Sequence, residues 1–551
     1  MRITAGVCIG LFCLTLFCPV GSAQAVPPGG YPVRTYGATG DGSTKDTAAV
    51  QKAIDACAAS GGGTVYFAPG TYLCGSLHLR SGVTLWLDNG ATIKGSPLKA
   101  DYDPYEELGF ENDSDHETSY FHFALIWGED VERIGILGSG TIDGNSQKRG
   151  GPKPIALKRC RYVDIKGISI INAPNYCISM LGTDDVVIDG VTIRNAYCDG
   201  IDPDSSRNVR ISNCHIESWD DAIVPKASFS LGERRSTENI TVTNCILSTE
   251  CNGFKLGTES GGDFKRIAVS NCVITGLKER PAISGIALES VDGSNLDGVV
   301  VSNITMVNVR APIFIRLGNR GRDMETPVPG SLRNVIISGV VATGGSLTSS
   351  VTGIQGHPVQ NVALSDIQLN YAGGLPYCGP DEAIPEKEDV YPDADMYEAL
   401  PAYGLYCRHV EGLTLSNVQL NYNDGFYRIQ AIENRDIQWT ADGAPPQPSA
   451  PGRPGQALLC DDVSALRISG LRARPSSEGD SVVRFANVRD ALVEGCMAQP
   501  GTALYLEAVG KDTSGIRVIG NDLSHAKTAF SAGKDVDAAA VELIGNAEAK
   551  Q

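Results

Sequence analysis

The sequence predicts an all-β protein built as a parallel β-helix, a coiled sheet in which each turn of chain stacks on the one before. Three observations lead there. Short apolar-alternating runs recur in one phrase: VDIKGISI, VVIDGVTI, VRISNCHI, ITVTNCIL, IAVSNCVI, VVVSNITM, VIISGVVA, VALSDIQL and LTLSNVQL. A Gly, Asn or Asp punctuates each phrase: Gly167, Gly190 and Asn213 are 23 residues apart, Asn244, Asn271, Asn303, Gly339 and Asp366 are spaced more widely, and Gly470, Gly495, Gly520 and Gly545 are 25 apart. No helical period accompanies these runs. A short β phrase repeating at such a period marks a solenoid, whose turns bury apolar faces only by stacking. A sandwich or propeller would leave Asn-Gly hairpin turns between paired strands, and these are scarce.

Each element follows in order. Residues 1–25 carry a basic Arg2, an apolar run from Val7 to Val20 and an Ala23-Gln24-Ala25 site. This is the pattern of a cleavable secretory signal, and it predicts a secreted or periplasmic product. The apolar run is short for a membrane span. Residues 26–551 read as one domain. Its N-terminal cap covers 33–72, where a helix over 46–60 places Val50, Ile54 and Cys57 on one face and Gly61, Gly62 and Gly63 stop it before a strand at 64–67. Stretches 101–122, 373–400 and 445–455 read as loops leaving the coil. The corner Asn residues are expected to form an inward ladder.

Composition excludes some functions. With 46 basic and 64 acidic residues the formal charge is −18, unsuited to nucleic acid. Of 16 cysteines, Cys8, Cys13 and Cys18 leave with the signal, so 13 remain and at least one is unpaired. No Cys-x-x-Cys pair occurs, which removes the usual zinc signature, and the residues call for no cofactor. Cys214, Cys245 and Cys272 each follow an Asn and read as buried, stacked thiols.

Chemistry concentrates where one short strand is written four times: DGIDPDSS from Asp199, DDAIVPKAS from Asp220, CNGFKLGTES from Cys251 and SGIALESVDG from Ser284. Aligned, Ile201, Ile223, Phe254 and Ile286 form one inward column, and Pro203, Pro225, Leu256 and Leu288 another. Strand side chains alternate faces, so Asp202, Val224, Lys255 and Ala287 point outward, as do Asp204, Lys226, Gly257 and Glu289. Asp199, Asp221, Asn252 and Ser284 precede each strand, with Asp220 beside Asp221. Adjacent turns lie about 4.7–4.9 Å apart, which brings Asp199, Asp220 and Asp221 onto one exposed patch, the layout of an acid and base pair.

The stretch from Tyr36 to Tyr72, with GSGTIDG at 138–144, DGIDPDSSRNVRISNC and WDDAI, resembles the pectin-lyase-like β-helix superfamily. Within it, the chain resembles the polygalacturonase-like glycoside hydrolases of family 28. The resemblance implies a right-handed coil and inverting hydrolysis, with Asp220 as general acid and Asp199 and Asp221 holding the attacking water. Inversion requires carboxyl groups roughly 6.5–9.5 Å apart, leaving room for water. The chain also departs from the family. Tyr197 and Cys198 replace the Asn and Thr of the first motif, and Asn252 stands in place of a motif His. Ala287 and Glu289 replace the Arg and Lys that clamp galacturonate, so both cations are gone.

An isolated outward Asp is ordinarily a solvated or turn-forming side chain. Here the clustering, together with the motifs, carries the catalytic reading. The candidate substrate-binding residues are Asp202, Lys226, Asn252, Lys255, Glu289 and Arg316, with no metal ligand assigned. The column Asp204, Lys226, Glu289 and Arg316 reads equally as a surface ion-pair ladder, and Asp199, Asp202 and Asp204 as calcium ligands. Tyr120, Trp127 and Trp219 read as packed rings or sugar platforms, and His409 as packed under a loop. The expected partner is a pectin-related polysaccharide or oligosaccharide, cleaved at a chain end or side branch. A lyase or epimerase, and a non-catalytic glycan-binding protein, are the alternatives.

Overall fold

A corner of the coil needs left-handed backbone, and this explains the punctuation. In the computed structural model Gly167, Gly190, Asn213, Asn244, Asn271, Asn303, Gly339 and Asp366 all have φ between 54° and 74°. Glycine adopts that conformation freely, and Asn and Asp tolerate it better than other side chains. The structure describes residues 30–277, 280–372, 378–423, 455–476 and 480–549. The expected signal segment 1–25 and all but the end of the 445–455 loop lie outside them.

Every ladder between strands is parallel among the described residues, in a 33-stranded sheet joined by a five-stranded one. The predicted β-helix is therefore present. Its interior is one continuous apolar core that includes Ile201, Ile223, Phe254 and Ile286, all fully buried. Cutting Phe254 back to Ala would cost about 3–5 kcal/mol.

The corner ladder differs from expectation. Asn244 Nδ2 donates to Asn213 Oδ1 at 3.4 Å and Asn303 Nδ2 to Asn271 Oδ1 at 3.2 Å, but these side chains are exposed. The left-handed corner turns the Asn outward and leaves the inner place to the next residue, so Cys214, Cys245 and Cys272 are buried. All 13 cysteines beyond residue 25 are free thiols.

The cap helix spans Thr47–Ala59 and buries Val50, Ala53, Ile54 and Cys57 against the first turn. Asp46 ties it down, its carboxylate accepting from the backbone N–H of Thr39 at 2.7 Å and of Gly40 at 3.0 Å.

Two loops roof the outer face of the coil. Phe121, closing the 101–122 loop, packs on Ala124, Ala156 and Leu181. Further along, Ala394, Met396, Tyr397 and Leu400 of the 378–400 segment pack on Ala287, Ala311 and Phe314. The acidic turns lie between these two apolar patches.

Candidate active site

The pairing of consecutive turns brings the carboxylates together. Ile201 bridges to Ile223 and Ile223 to Phe254, while Asp204 bridges to Lys226. Strand Asn252–Leu256 pairs with Ala282–Ser290, placing Phe254 beside Ile286 and Lys255 beside Ala287. The next pairing sets Glu289 beside Arg316. The aligned columns are thus the physical ones. Residues 221–227 form isolated bridges rather than a strand, because Pro225 has no N–H for the ladder.

On the outer side, Asp221 donates its backbone N–H to Asp199 Oδ1 at 3.2 Å. Carboxylate oxygens of Asp199 and Asp220 approach within 4.8 Å, as do those of Asp220 and Asp221. Such crowding requires cations. Lys226 Nζ donates to Asp199 Oδ2 at 2.8 Å and to Asp202 Oδ1 at 2.7 Å, and lies 4.0 Å from the centroid of the Tyr176 ring. Lys255 Nζ stands 3.5 Å from Asp221 Oδ2. Arg149 pairs with Asp220 and, at 3.3 Å, with Glu117.

These surroundings set the protonation. Burial pushes Asp199 well above the usual carboxylate range, against the pull of Lys226. Burial also raises Asp221, with Lys255 opposing. Asp220 goes the other way. Desolvation acts to raise it, but Arg149 and then Lys255 outweigh that and hold it below the ordinary value. In this arrangement Arg149 favours the ionised form of Asp220.

The other candidates fall into place around the three. Asn252 donates Nδ2 to Asp221 Oδ1 at 2.7 Å and takes a hydrogen bond from Ser284, which fixes the orientation of Asp221. Asp204 accepts from the Ser228 backbone N–H at 2.8 Å and from Ser205, and burial lifts it to about 6. The calcium reading fails on geometry: Lys226 fills the space between Asp199 and Asp202, and Asp204 turns to Ser228.

Two expectations need correction. The outward face is neither an exposed patch nor a surface ladder, since Asp199, Asp202, Asp221, Lys226, Lys255 and Glu289 are at most 5 % exposed, and of the three clustered aspartates only Asp220 reaches solvent. Arg316, expected on the substrate side, is committed to the roof: Nη1 donates to Tyr397 Oη at 2.8 Å, and Nη2 to the Glu386 and Lys387 carbonyls at 2.7 and 3.1 Å. Sequence reasoning missed Arg149, Lys153, Tyr391 and Asp393. Lys153 Nζ is buried 3.7 Å from the Phe121 ring centroid, donates to Ser179 Oγ at 3.0 Å, and is lowered to about 7 by burial. As expected, His409 lies under a loop, with Nε2 3.1 Å from Glu386 Oε1. Tyr197 and Trp219 meet edge to face at 4.8 Å, half-buried beside the acidic cluster.

A parallel coil with carboxylates converging on its outer face defines a carbohydrate-cleaving β-helix enzyme. The sequence model of glycosyl hydrolases family 28 matches residues 79–382, more than half of the chain, and that of "Rhamnogalacturonase A/epimerase, pectate lyase-like" matches residues 31–102. The chain belongs to glycosyl hydrolases family 28 and is a polygalacturonase-like glycosidase. Its relatives include a probable polygalacturonase of Vitis vinifera, 25 % identical over 61 % of this chain and 73 % of the relative. An endo-polygalacturonase of Pectobacterium carotovorum subsp. carotovorum is 26 % identical over 56 % of this chain and 80 % of the relative. Among solved structures, a hyperthermoactive exopolygalacturonase from Thermotoga maritima superposes with a TM-score of 0.57 at 22 % identity, covering 73 % of this chain and 93 % of that one. The fold is a right-handed parallel β-helix.

Proposed function

We propose that this glycosidase hydrolyses, with inversion, a glycosidic bond in a pectin-related polysaccharide or oligosaccharide. The convergence of Asp199, Asp220 and Asp221 from adjacent turns carries the reading. Asp199 and Asp221, joined through the Asp221 N–H, hold and deprotonate the water. Asp220, on their flank and in contact with solvent, protonates the leaving oxygen. It takes that proton from solvent as Arg149 moves from it toward the incoming substrate, and the proton lost by the attacking water rests on Asp199 or Asp221 until it returns to solvent.

The roofing loops 101–122 and 378–400 support action at a chain end or side branch, since they leave little room for a long polymer to lie across the coil. Relatives of both habits exist, among them an exo-poly-alpha-D-galacturonosidase of Dickeya chrysanthemi and the endo-acting enzyme above. Residues 1–25 support export to the periplasm or medium.

The test is incubation with pectic fragments and neutral oligosaccharides, with the first product followed by proton NMR. An inverted anomer supports the reading. A retained anomer overturns the assignment of water to Asp199 and Asp221, and an unsaturated product overturns hydrolysis in favour of elimination.

A further inference from the structure

Beyond Asp221 the outer face carries a cluster of acidic groups, Glu289 and Asp393, that the reaction does not use. Glu289 is fully buried, and neither of its carboxylate oxygens accepts a hydrogen bond from the described residues. Asp393 Oδ1, contributed by the 378–400 segment, is likewise buried without a donor. Between them stands Lys255, with Nζ 4.0 Å from Glu289 Oε2 and 3.9 Å from Asp393 Oδ1, both beyond hydrogen-bond reach. The Tyr391 ring, 46 % exposed, lies over this ammonium with its centroid 5.4 Å away.

Buried acceptors without donors are costly, about 1–3 kcal/mol each and more for charged groups, and are kept where a ligand supplies the donors. The charge balance selects the ligand. Lys255 is outnumbered by Asp221, Glu289 and Asp393. The neighbouring cations are spent elsewhere, Arg320 in two bonds to Asp292 at 2.6 and 2.9 Å and Arg316 on the roof. A uronate carboxylate brings no hydrogen to these buried acceptors and would find one cation, Lys255, already shared among Asp221, Glu289 and Asp393. A neutral sugar offers hydroxyl hydrogens to the acceptors and hydroxyl oxygens to the ammonium, with an apolar ring face for Tyr391.

Resting on the hydrolytic reading above, we propose that Lys255, Glu289, Asp393 and Tyr391 form the subsite beside Asp221, and that it takes an uncharged sugar residue through adjacent hydroxyls. Asp393 and Tyr391 ride on the 378–400 segment, so the sugar enters before that segment closes and completes its own contacts by closing it. The enzyme then cuts next to a neutral residue rather than within an unbroken run of uronates.

The test is calorimetric titration of the full-length protein with galacturonate tri- to pentasaccharides, and with the same oligosaccharides after partial carboxyl reduction. The reduced ligands are expected to bind at least tenfold more tightly, and Asp393→Ala to remove that advantage while the circular-dichroism spectrum stays unchanged. Equal or tighter binding of the unreduced uronates, binding of neither set, or an Asp393→Ala variant that keeps the preference would each overturn the proposal. The catalytic reading fails separately. Preferential binding of reduced ligands with no cleavage of any would sink hydrolysis and leave the subsite standing.

Discussion

Asp221 and Asp199, 22 residues apart in sequence, are joined across one turn of the coil by the bond from the Asp221 N–H to Asp199 Oδ1 at 3.2 Å. The bond ties two acids on adjacent turns, with Lys226 against one and Lys255 and Asn252 against the other, and in the proposed mechanism these two serve as the base. Exchanging either acid for its amide keeps the shape and removes the base. Asp199→Asn and Asp221→Asn are each expected to lower kcat about 10²–10⁴-fold, with KM nearly unchanged and the far-ultraviolet spectrum intact. A variant with more than a tenth of wild-type kcat would remove that residue from the mechanism.

Arg149 predicts a pH signature. A general acid works only while protonated, so activity falls as pH rises through its pKa. Arg149 holds Asp220 below the ordinary carboxylate value, against the raising effect of desolvation. Arg149→Gln removes that pull, so the alkaline limb of kcat/KM is expected to move to higher pH. A profile measured from pH 3 to 9 that moves the other way, or stays in place, would show that Asp220 is not the acid.

Lys226 shares one ammonium between two buried carboxylates, those of Asp199 and Asp202. Removing one partner of a buried ion cluster leaves charge without compensation, which costs about 3–5 kcal/mol. Lys226→Met is therefore expected to lower the urea midpoint by that order. A solvated surface lysine would change stability by only about 0.5 kcal/mol, so the urea curve separates the two.

The coil and its register were legible because the alternation has period two and one corner conformation admits only a few residue types. That was enough to bring Asp199, Asp220 and Asp221 together and to place Lys226 beside Asp204. What lies over them was not legible. Arg149, Asp393 and Tyr391 come from loops that repeat nothing, so no alignment of turns assigns them a neighbour. The burial of Lys226, Lys255 and Glu289 was hidden for the same reason, since their roof depends on how Phe121 and Tyr397 pack. Arg316 was placed correctly on the outer face, but its partner Tyr397 stands 81 residues further on.

Lys153 carries a cost that depends on pH. Its folded pKa is lowered to about 7 by burial, far below the unfolded value of about 10.4. Between these limits the unfolded chain binds the extra proton, so stability rises with pH; below about 7 the folded chain bears the full cost of charging a buried amine. Replacing a buried charge by a well-packed apolar side chain stabilises by about 1–4 kcal/mol. Lys153→Met is expected to raise the melting temperature, and by more at pH 6 than at pH 9. A lower melting temperature at both would mean that the contacts to Phe121 and Ser179 outweigh the charge.

Arg316 ties the roof to the coil. Its guanidinium makes five hydrogen bonds, to Tyr397, Glu386 and Lys387 of the 378–400 segment and to Thr352 and Gly353 of the coil. Its stem occupies an outward position on a strand whose core side chains, Ile313 and Ile315, are untouched by the change. Arg316→Met should therefore free the segment and spare the tube. Local opening sets cleavage by a protease when opening is fast and reversible, so cutting within 378–400 is expected to accelerate about tenfold or more, with the cooperative melting of the coil shifted far less. Equal rates of cutting in both proteins would mean that the apolar contacts of Ala394, Met396 and Leu400 hold the roof without Arg316.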